Sequence, residues 1–232
     1  MLPAINTEGK ILMQSECRIL LAPNGNGALF DSIAKSEALR SLISKLECVQ
    51  VIGVDNTLNK VLDPIQIGFN VVRKLQASLK CCPKVNAKEK VGVVATKDGK
   101  AQIIEYSEIP IDQMEATNPD GSLQFRHGSI LMFMLDAKFL LSLIQTGNAN
   151  ISLYHKAWKK VEYCDLDRME IIQPEKENAW KFELFLQNFL PCVDSGRLGV
   201  MEVCRETEFA PIKNADGPTG QPIVSDSPSS SL

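Results

Sequence analysis

Short apolar runs alternate along the chain with stretches in which apolar residues recur every three or four positions. Nearly continuous apolar runs at 17–21, 47–56 and 129–135 are typical of buried strands. Between the first two, apolar residues recur at helical spacing from Leu29 to Leu46. This alternation predicts a single α/β domain built on a mixed sheet.

The run 47–56 is rich in β-branched residues and stops at an acid. Such continuous hydrophobicity predicts a strand covered on both faces, as in a parallel sheet, with Asp55 at its carboxyl tip. Asp63 and Pro64 follow as a predicted N-cap and first helical residue. The helix that they begin would continue through Ile67, Val71 and Leu75.

Turn residues separate the predicted elements in the middle of the chain. The sequence 97–100, Lys-Asp-Gly-Lys, predicts a hairpin turn between strands at 91–94 and 102–106, and 118–121 predicts a second turn. Asp136 is predicted to cap a helix after the strand 129–135. The pattern also predicts a helix over 180–190 and a strand over 198–204.

Composition excludes several classes of partner. The 232 residues carry a formal net charge of −3, so nothing indicates nucleic-acid binding. No apolar run is long enough to cross a membrane, and no signal peptide is recognisable. The seven cysteines show no paired CxxC spacing, which predicts reduced thiols in a cytoplasmic protein. Cys17, Cys48 and Cys204 lie in or beside apolar runs and are expected to pack as small hydrophobic residues.

The stretch 22–30, Ala-Pro-Asn-Gly-Asn-Gly-Ala-Leu-Phe, places glycines between a predicted strand and a predicted helix. A turn of this kind brings bare backbone to the carboxyl edge of a sheet, where open α/β sheets bind ligands. An ordinary strand-to-helix turn would have the same sequence features.

Six segments carry a resemblance to a known family. They are Ala-Pro-Asn-Gly-Asn-Gly at 22–27, Val-Asp-Asn at 54–56, Val-Gly-Val-Val at 91–94, Glu-Tyr-Ser-Glu at 105–108, His-x-Ala-x-Lys-Lys-x-x-Tyr-x-Asp at 155–165 and Glu-Phe-x-Pro-x-Lys-Asn-Ala-Asp at 208–216. In this order and at these spacings they resemble the eukaryotic UDP-N-acetylhexosamine pyrophosphorylases. The resemblance implies a Rossmann-like nucleotidyltransferase core, with residues 1–216 forming a partial catalytic domain and 217–232 a disordered tail.

Members of that family transfer uridylyl from UTP to N-acetylglucosamine 1-phosphate with Mg²⁺ and release pyrophosphate. The resemblance assigns uridine to Gly25 and Asn26, and the metal and nucleotide phosphates to Asp55. The implied sugar-binding residues are Gly92, Glu105, Tyr106, Ser129 and Phe185; the implied catalytic residues are Asp55, Lys181 and Lys213. Each of these residues could instead have a purely structural role. Asp55 could be a cap, Gly92 an ordinary strand glycine, and Phe185 a core residue of a helix, and the lysines could lie on the exposed surface.

The chain also departs from the family pattern. The glycine-rich phosphate loop of the family and its C-terminal domain have no counterpart in this sequence, so a core truncated at both ends, weak or inactive alone, is expected. Ser129 stands where the family has an asparagine for the N-acetyl sugar, and Met132 and Phe133 replace polar residues. A non-catalytic nucleotide-binding or scaffold protein, and an incomplete gene product without a stable fold, remain alternatives. The sequence leaves open the choice between glucosamine and galactosamine and the oligomeric state.

Overall fold

In a computed structural model of the protein, the structure describes residues 1–106, 108–147 and 151–212. Its strands are β1 (Leu2–Pro3), β2 (Met13–Ser15), β3 (Arg18–Ile19), β4 (Leu21–Ala22), β5 (Cys48–Ile52), β6 (Ala77–Pro83), β7 (Val93–Lys97), β8 (Lys100–Ile104), β9 (His127–Asp136), β10 (Tyr154–Lys159), β11 (Tyr163–Asp165), β12 (Glu170–Ile172), β13 (Ala179–Leu184) and β14 (Leu198–Glu202). Its helices are α1 (Ala28–Lys35), α2 (Glu37–Ile43), α3 (Pro64–Arg73), α4 (Ile111–Met114), α5 (Ala137–Gln145) and α6 (Arg205–Glu208), with a 3-10 helix at Leu186–Cys192. No helix in these ranges is long and apolar enough to cross a bilayer.

The chain divides into two compact units. The first comprises residues 1–40 and 143–189, and the second comprises residues 41–142 and 190–232. Each unit is thus formed from two separate stretches of sequence, so neither can be produced by cutting the chain once.

The first unit is built from short antiparallel strands. β10 pairs with β13, β1 pairs with β4, and β12, β11, β2 and β3 form a four-stranded sheet. Trp158 and Trp180 are directly opposite on β10 and β13, with ring centroids 4.6 Å apart. Aromatic cross-strand pairs of this kind stabilise the pairing of two strands.

The second unit contains a six-stranded mixed sheet, counted over the described residues, in the order β14-β6-β9-β7-β8, with β5 also paired to β9. β14 is parallel to β6, and the other neighbours are antiparallel. The central strands β6 and β9 are almost wholly buried. The mixed α/β sheet predicted from the sequence is confirmed.

An irregularity interrupts the pairing of these two central strands. Lys80 of β6 is opposite Met132, whereas the next residue, Cys81, is opposite Ser129. Two residues of β9 are therefore extra, and one of them, Leu131, has a φ of 53°. Bulges re-aim side chains and are frequent beside binding sites.

Several local predictions are confirmed. The predicted hairpin joins β7 and β8 through Asp98 and Gly99, both at positive φ as a type I′ turn requires. The Asp63 carboxylate accepts from the N–H of Ile65 at 3.0 Å and begins α3, although the helix ends at Arg73. Asp136 accepts from the N–H of Phe139 at 2.8 Å and begins α5.

Predictions that rested on hydrophobic runs alone were partly wrong. β5 is a strand, but it pairs antiparallel with β9 and all five of its residues are only half-buried. It has no second strand neighbour among the described residues, and an apolar run cannot report how many neighbours a strand has. The run 17–21 is not one buried strand either: it forms parts of β3 and β4, with Ile19 and Leu21 exposed.

The predicted helix over 180–190 is also wrong. Its first half is strand β13, because residues 179–184 pair one to one with 154–159, and its second half is the 3-10 helix. Tertiary pairing here overrides local helical spacing. The helical stretch 29–46 breaks at Ser36 into α1 and α2. Cys17 and Cys204 are exposed and Cys48 is half-buried, whereas the buried cysteines are Cys81, Cys82 and Cys164.

Candidate functional site

The glycine turn of the first unit packs against the end of β13. Gly27 donates its N–H to the carbonyl oxygen of Leu184 at 2.9 Å, and Leu184 donates to Asn24 at 2.8 Å. Gly25 has a φ of 84°, and a Cβ atom there would overlap the Leu184 carbonyl. At Gly27 a Cβ atom would lie 2.8 Å from Leu184. Both glycines therefore permit close backbone approach within the unit, whatever else the turn binds.

Asn26 and Phe185 lie at the same place. The side-chain oxygen of Asn26 accepts from the N–H of Leu186 at 2.8 Å, so Asn26 holds the start of the 3-10 helix. The ring of Phe185 stacks on His155, with centroids 4.2 Å apart. His155 also contacts the side-chain oxygen of Asn188 at 3.2 Å, which supports a structural role for this histidine.

In the second unit, Asp55 occupies a loop directly after β5. Its side chain is half-buried, and its backbone oxygen accepts from the N–H of Ile212 at 2.9 Å. The neighbouring Gly53 leaves room for the carboxylate, because a Cβ atom there would lie 3.0 Å from Asp55 Oδ1. Gly53 also donates its N–H to the carbonyl of Leu131 at 2.9 Å, which ties the loop to the bulge in β9.

Asn56, the residue after Asp55, is buried and uses its side chain to join two motifs of the sequence. Its amide nitrogen donates to the carbonyl of Glu208 at 2.7 Å, and its side-chain oxygen accepts from the N–H of Ala210 at 2.9 Å. Thr57 adds a backbone hydrogen bond to Ala210 at 3.3 Å. The motifs at 54–56 and 208–216 therefore meet directly in the fold.

Three of the predicted sugar-binding residues come together beside the bulge. Ser129 donates its N–H to the carbonyl of Gly92 at 2.8 Å. A Cβ atom at Gly92 would lie 2.6 Å from the Ile103 side chain and 3.3 Å from Glu105 Oε1, so the glycine gives clearance for both side chains. All three residues are half-buried and come from different parts of the sheet. Tyr106, next in the chain, is exposed.

The two predicted catalytic lysines have different outcomes. Lys181 lies on β13 in the first unit and lines a pocket of about 300 Å³ together with Lys160, Tyr163 and other residues of that unit. Lys213 lies outside the described residues, as does the tail 217–232. Ile212, which bonds to Asp55, immediately precedes Lys213 in the sequence.

A further pocket of about 430 Å³ opens at the carboxyl ends of the parallel strands β6 and β14. It is lined by Pro83, Val85, Glu202, Val203, Cys204, Arg205 and Glu206. None of these residues was predicted as a site residue. The nearby Arg126 donates to Glu202, and this hydrogen bond lowers the pKa of the Glu202 carboxyl.

The sequence interpretation missed Asn56, Lys80 and Glu208. Lys80 is fully buried in β6, where it contacts Asp63 and Glu208. A lysine inside an apolar strand sequence was the available signal, because lysine is almost never fully buried unless it is paired.

The metal-binding capacity of the described residues is small. They contain no group of three or more His, Cys, Asp or Glu side chains that could hold a metal ion. Mg²⁺, however, keeps several waters and is commonly bound through one or two carboxylates together with substrate phosphates. Asp55 therefore fits a cation that arrives with a nucleotide and does not fit a protein-only metal centre.

Comparisons with known proteins agree with this fold. The family described as UTP–glucose-1-phosphate uridylyltransferase matches residues 1–217. UDP-N-acetylhexosamine pyrophosphorylase-like protein 1 of Xenopus tropicalis is 35% identical over 217 residues, which are 93% of this chain and 42% of the relative. UDP-N-acetylglucosamine pyrophosphorylase of Saccharomyces cerevisiae is 33% identical over 218 residues, 93% of this chain and 46% of the relative.

Among solved structures, the uridine diphosphate N-acetylglucosamine pyrophosphorylase of Trypanosoma brucei, in complex with an inhibitor, gives a TM-score of 0.78 at 30% identity. The match covers 98% of this chain and 44% of that one. The chain thus spans less than half the length of the relatives it matches. Its fold is the nucleotidyltransferase core of the UDP-sugar pyrophosphorylases, and the chain belongs to the UTP–glucose-1-phosphate uridylyltransferase family.

Proposed function

We propose that this chain serves uridylyl transfer between UTP and an N-acetylhexosamine 1-phosphate. In this reaction a phosphate oxygen of the sugar phosphate attacks the α-phosphorus of UTP. A new P–O bond forms, the bond between the α-phosphorus and the bridging oxygen breaks, and pyrophosphate leaves. Such a transfer needs positioned cations and hydrogen-bond donors more than covalent help from the protein.

The observation that carries the proposal is the cluster of Gly92, Glu105 and Ser129. A half-buried carboxylate beside a glycine and a serine can accept hydrogen bonds from sugar hydroxyls. The three residues are distant in sequence, and the fold of one unit brings them together. We assign the sugar to this cluster, with Tyr106 as a further sugar contact; the sugar-binding role of Phe185, in the first unit, stays a prediction.

The nucleotide and the cation are assigned to other residues. Asp55 would hold Mg²⁺, which would supply charge neutralisation for the nucleotide phosphates when bound. Gly25 and Asn26 would face uridine, as the resemblance to the family implies. Lys213 would place positive charge near the phosphates, and the catalytic role of Lys181, in the first unit, stays a prediction. The absence of disulfides among the seven cysteines supports a cytoplasmic location.

The test combines binding with turnover. Isothermal calorimetry with UDP-N-acetylglucosamine should show binding that is lost in Glu105→Gln and kept in Glu115→Gln, an exposed glutamate of the same unit. Pyrophosphate release from UTP, Mg²⁺ and N-acetylglucosamine 1-phosphate then measures transfer. Turnover supports the full proposal, and binding without turnover favours a non-catalytic UDP-sugar-binding protein. Absence of both would overturn the assignment.

A further inference from the structure

A cluster of four charged side chains lies inside the second unit. Lys80, at the middle of strand β6, has no exposed surface, and its ammonium contacts the carboxylates of Asp63 and Glu208. Glu208 also accepts from Lys60 at 3.0 Å, and Lys60 is half-exposed. Asp63 and Glu208 are both more than nine-tenths buried. The cluster therefore has two acids and two bases, with Lys80 at its centre.

The cluster joins three structural elements. Lys80 belongs to a strand that is paired on both sides, by β9 and by β14. Asp63 is the N-cap of α3, and Glu208 is the last residue of α6. Lys80 thus fixes the start of one helix and the end of another to a central strand of the sheet.

The loop that carries Asp55 is bonded to the same segment. Asn56 binds the backbone of Glu208 and Ala210, and Asp55 itself accepts from Ile212. The side chain of Glu208 is held by Lys80, while its backbone is held by Asn56. An unbroken chain of contacts therefore runs from Lys80 through Glu208 to the Asp55 loop.

Burying such a cluster is an unfavourable way to stabilise a fold. Removing charges from water has a large desolvation cost, and well-packed apolar residues of similar volume often stabilise a core equally well. A buried ion cluster does fix one geometry, because its charges tolerate few arrangements. Burial alone would raise the pKa of Asp63, but hydrogen bonds from Lys80 and Ile65 outweigh it and lower that pKa.

We propose that Lys80, together with Asp63 and Glu208, positions the Asp55 carboxylate and the segment 208–212. In this position they bind a divalent cation together with a nucleoside triphosphate. Lys80 is a positioning residue in this scheme and touches no substrate. The inference rests on the proposed function in that Asp55 is taken as the cation ligand. Residues that orient metal ligands typically affect metal affinity by about 10- to 100-fold when they are replaced.

The experiment uses three variants of the full chain. Lys80→Met removes the central positive charge, so the buried carboxylates of Asp63 and Glu208 lose the lysine that they share. The triple variant Lys80→Met, Asp63→Asn, Glu208→Gln removes every charge of the buried part. Lys60→Met removes only the half-exposed lysine of the cluster. It is the matched control, since it also deletes a positive charge that pairs with Glu208.

Two measurements are made on each variant. Hydrogen exchange of peptides covering 53–59 and 208–212 reports whether the two segments stay fixed to each other without any ligand. Calorimetric titration of UTP with and without Mg²⁺ reports the cation-dependent part of binding. In Lys80→Met and in the triple variant we expect faster exchange in both segments and a loss of about 10- to 100-fold in Mg²⁺-dependent affinity. Lys60→Met should resemble the parent in both.

The triple variant separates positioning from general stability. If it melts cooperatively near the parent temperature yet shows fast exchange in these segments and weak Mg²⁺-dependent binding, the inference stands. Parent-like exchange and binding in the triple variant would overturn it. If the parent protein itself does not bind UTP, the proposed function fails, but hydrogen exchange still tests the inference. Unchanged protection of both segments in both Lys80 variants would overturn the inference. Lost protection would support the coupling of Lys80 to the Asp55 loop.

Discussion

Ile212 donates its backbone N–H to the backbone oxygen of Asp55, with 2.9 Å between nitrogen and oxygen. The bond uses the main chain of Asp55 and does not involve its side-chain carboxylate. A substitution of the Asp55 side chain can therefore test ligand binding without removing this link. The link also places Ile212 beside Asp55, the residue that we assign to the cation.

Asp55→Ala should abolish Mg²⁺-dependent nucleotide binding. The carboxylate is the cation ligand in our proposal, and removing it should weaken binding of Mg²⁺ with UTP by more than about tenfold, or about 1.4 kcal/mol. Calorimetry at fixed Mg²⁺ measures this. Asp98→Ala, in the exposed hairpin turn of the same unit, is the control. Parent-like affinity in Asp55→Ala would show that Asp55 is not the ligand.

Ser129→Asn should strengthen binding of N-acetylated sugar nucleotides. An asparagine amide both donates and accepts, so it can add one hydrogen bond to the N-acetyl group, worth about 1 kcal/mol or roughly fivefold in affinity. The backbone bond from Ser129 to Gly92 does not depend on the side chain and should persist. Affinities for UDP-N-acetylglucosamine and UDP-glucose are compared, and only the first should improve. An unchanged or weaker affinity for it would contradict the assignment of this position.

Gly25→Ala should destabilise the first unit more than Gly9→Ala does. Both glycines have positive φ, 84° and 78°, so both substitutions carry the backbone penalty of about 1–2 kcal/mol. Only at Gly25 does the new methyl group meet backbone atoms, those of Leu184, whereas nothing lies within 4 Å at Gly9. We expect at least about 1 kcal/mol of additional loss at Gly25. Urea denaturation measures the difference, and equal losses would show that the turn does not pack on β13.

Cysteine reactivity should follow burial. Burial raises the pKa of Cys81 to about 12 and that of Cys82 to about 11. Iodoacetamide at pH 8 should therefore label the exposed Cys17 and leave Cys81 and Cys82 unmodified until the protein is unfolded in urea. Rapid labelling of Cys81 in the native protein, read by peptide mass spectrometry, would contradict its burial in β6.

The same two thiols predict how stability changes in alkaline solution. Their ordinary pKa is 9.0, so the unfolded chain loses these protons first as the pH rises above about 9. The stability that the neutral buried thiols contribute is fully present below pH 9 and is lost as the pH rises from about 9 to about 12. In Cys81→Ala, Cys82→Ala the drop in urea midpoint between pH 8 and pH 10 should be smaller than in the parent. An equal drop would assign the loss to other groups.

Features that depend on a few adjacent residues were predictable from the sequence. Asp63 with Pro64, and Asp98 with Gly99, specify their cap and turn through local hydrogen bonds and φ preferences, and both were found as predicted. The sugar cluster was reached through the resemblance alone. Periodicity carries no information on how far apart Gly92, Glu105 and Ser129 lie.

Features set by long-range pairing were not predictable from one sequence. Residues 180–184 have helical spacing, yet their pairing with β10 makes them a strand. The ion cluster at Lys80 depends on Glu208, which is far away in the chain, and no local rule links the two. Asn56 likewise gains its importance only from contacts with Glu208 and Ala210.

Strand β5 has one strand partner among the described residues, and this affects how the protein should associate at high concentration. Gly53 and Glu47 bond towards β9, so the alternating geometry turns the backbone groups of Cys48, Gln50 and Ile52 the other way. No second strand pairs with β5 on this side in the described part of the chain. A bare strand edge is a template for any extended polypeptide. In concentrated solution, two molecules should therefore associate through the edges of their β5 strands.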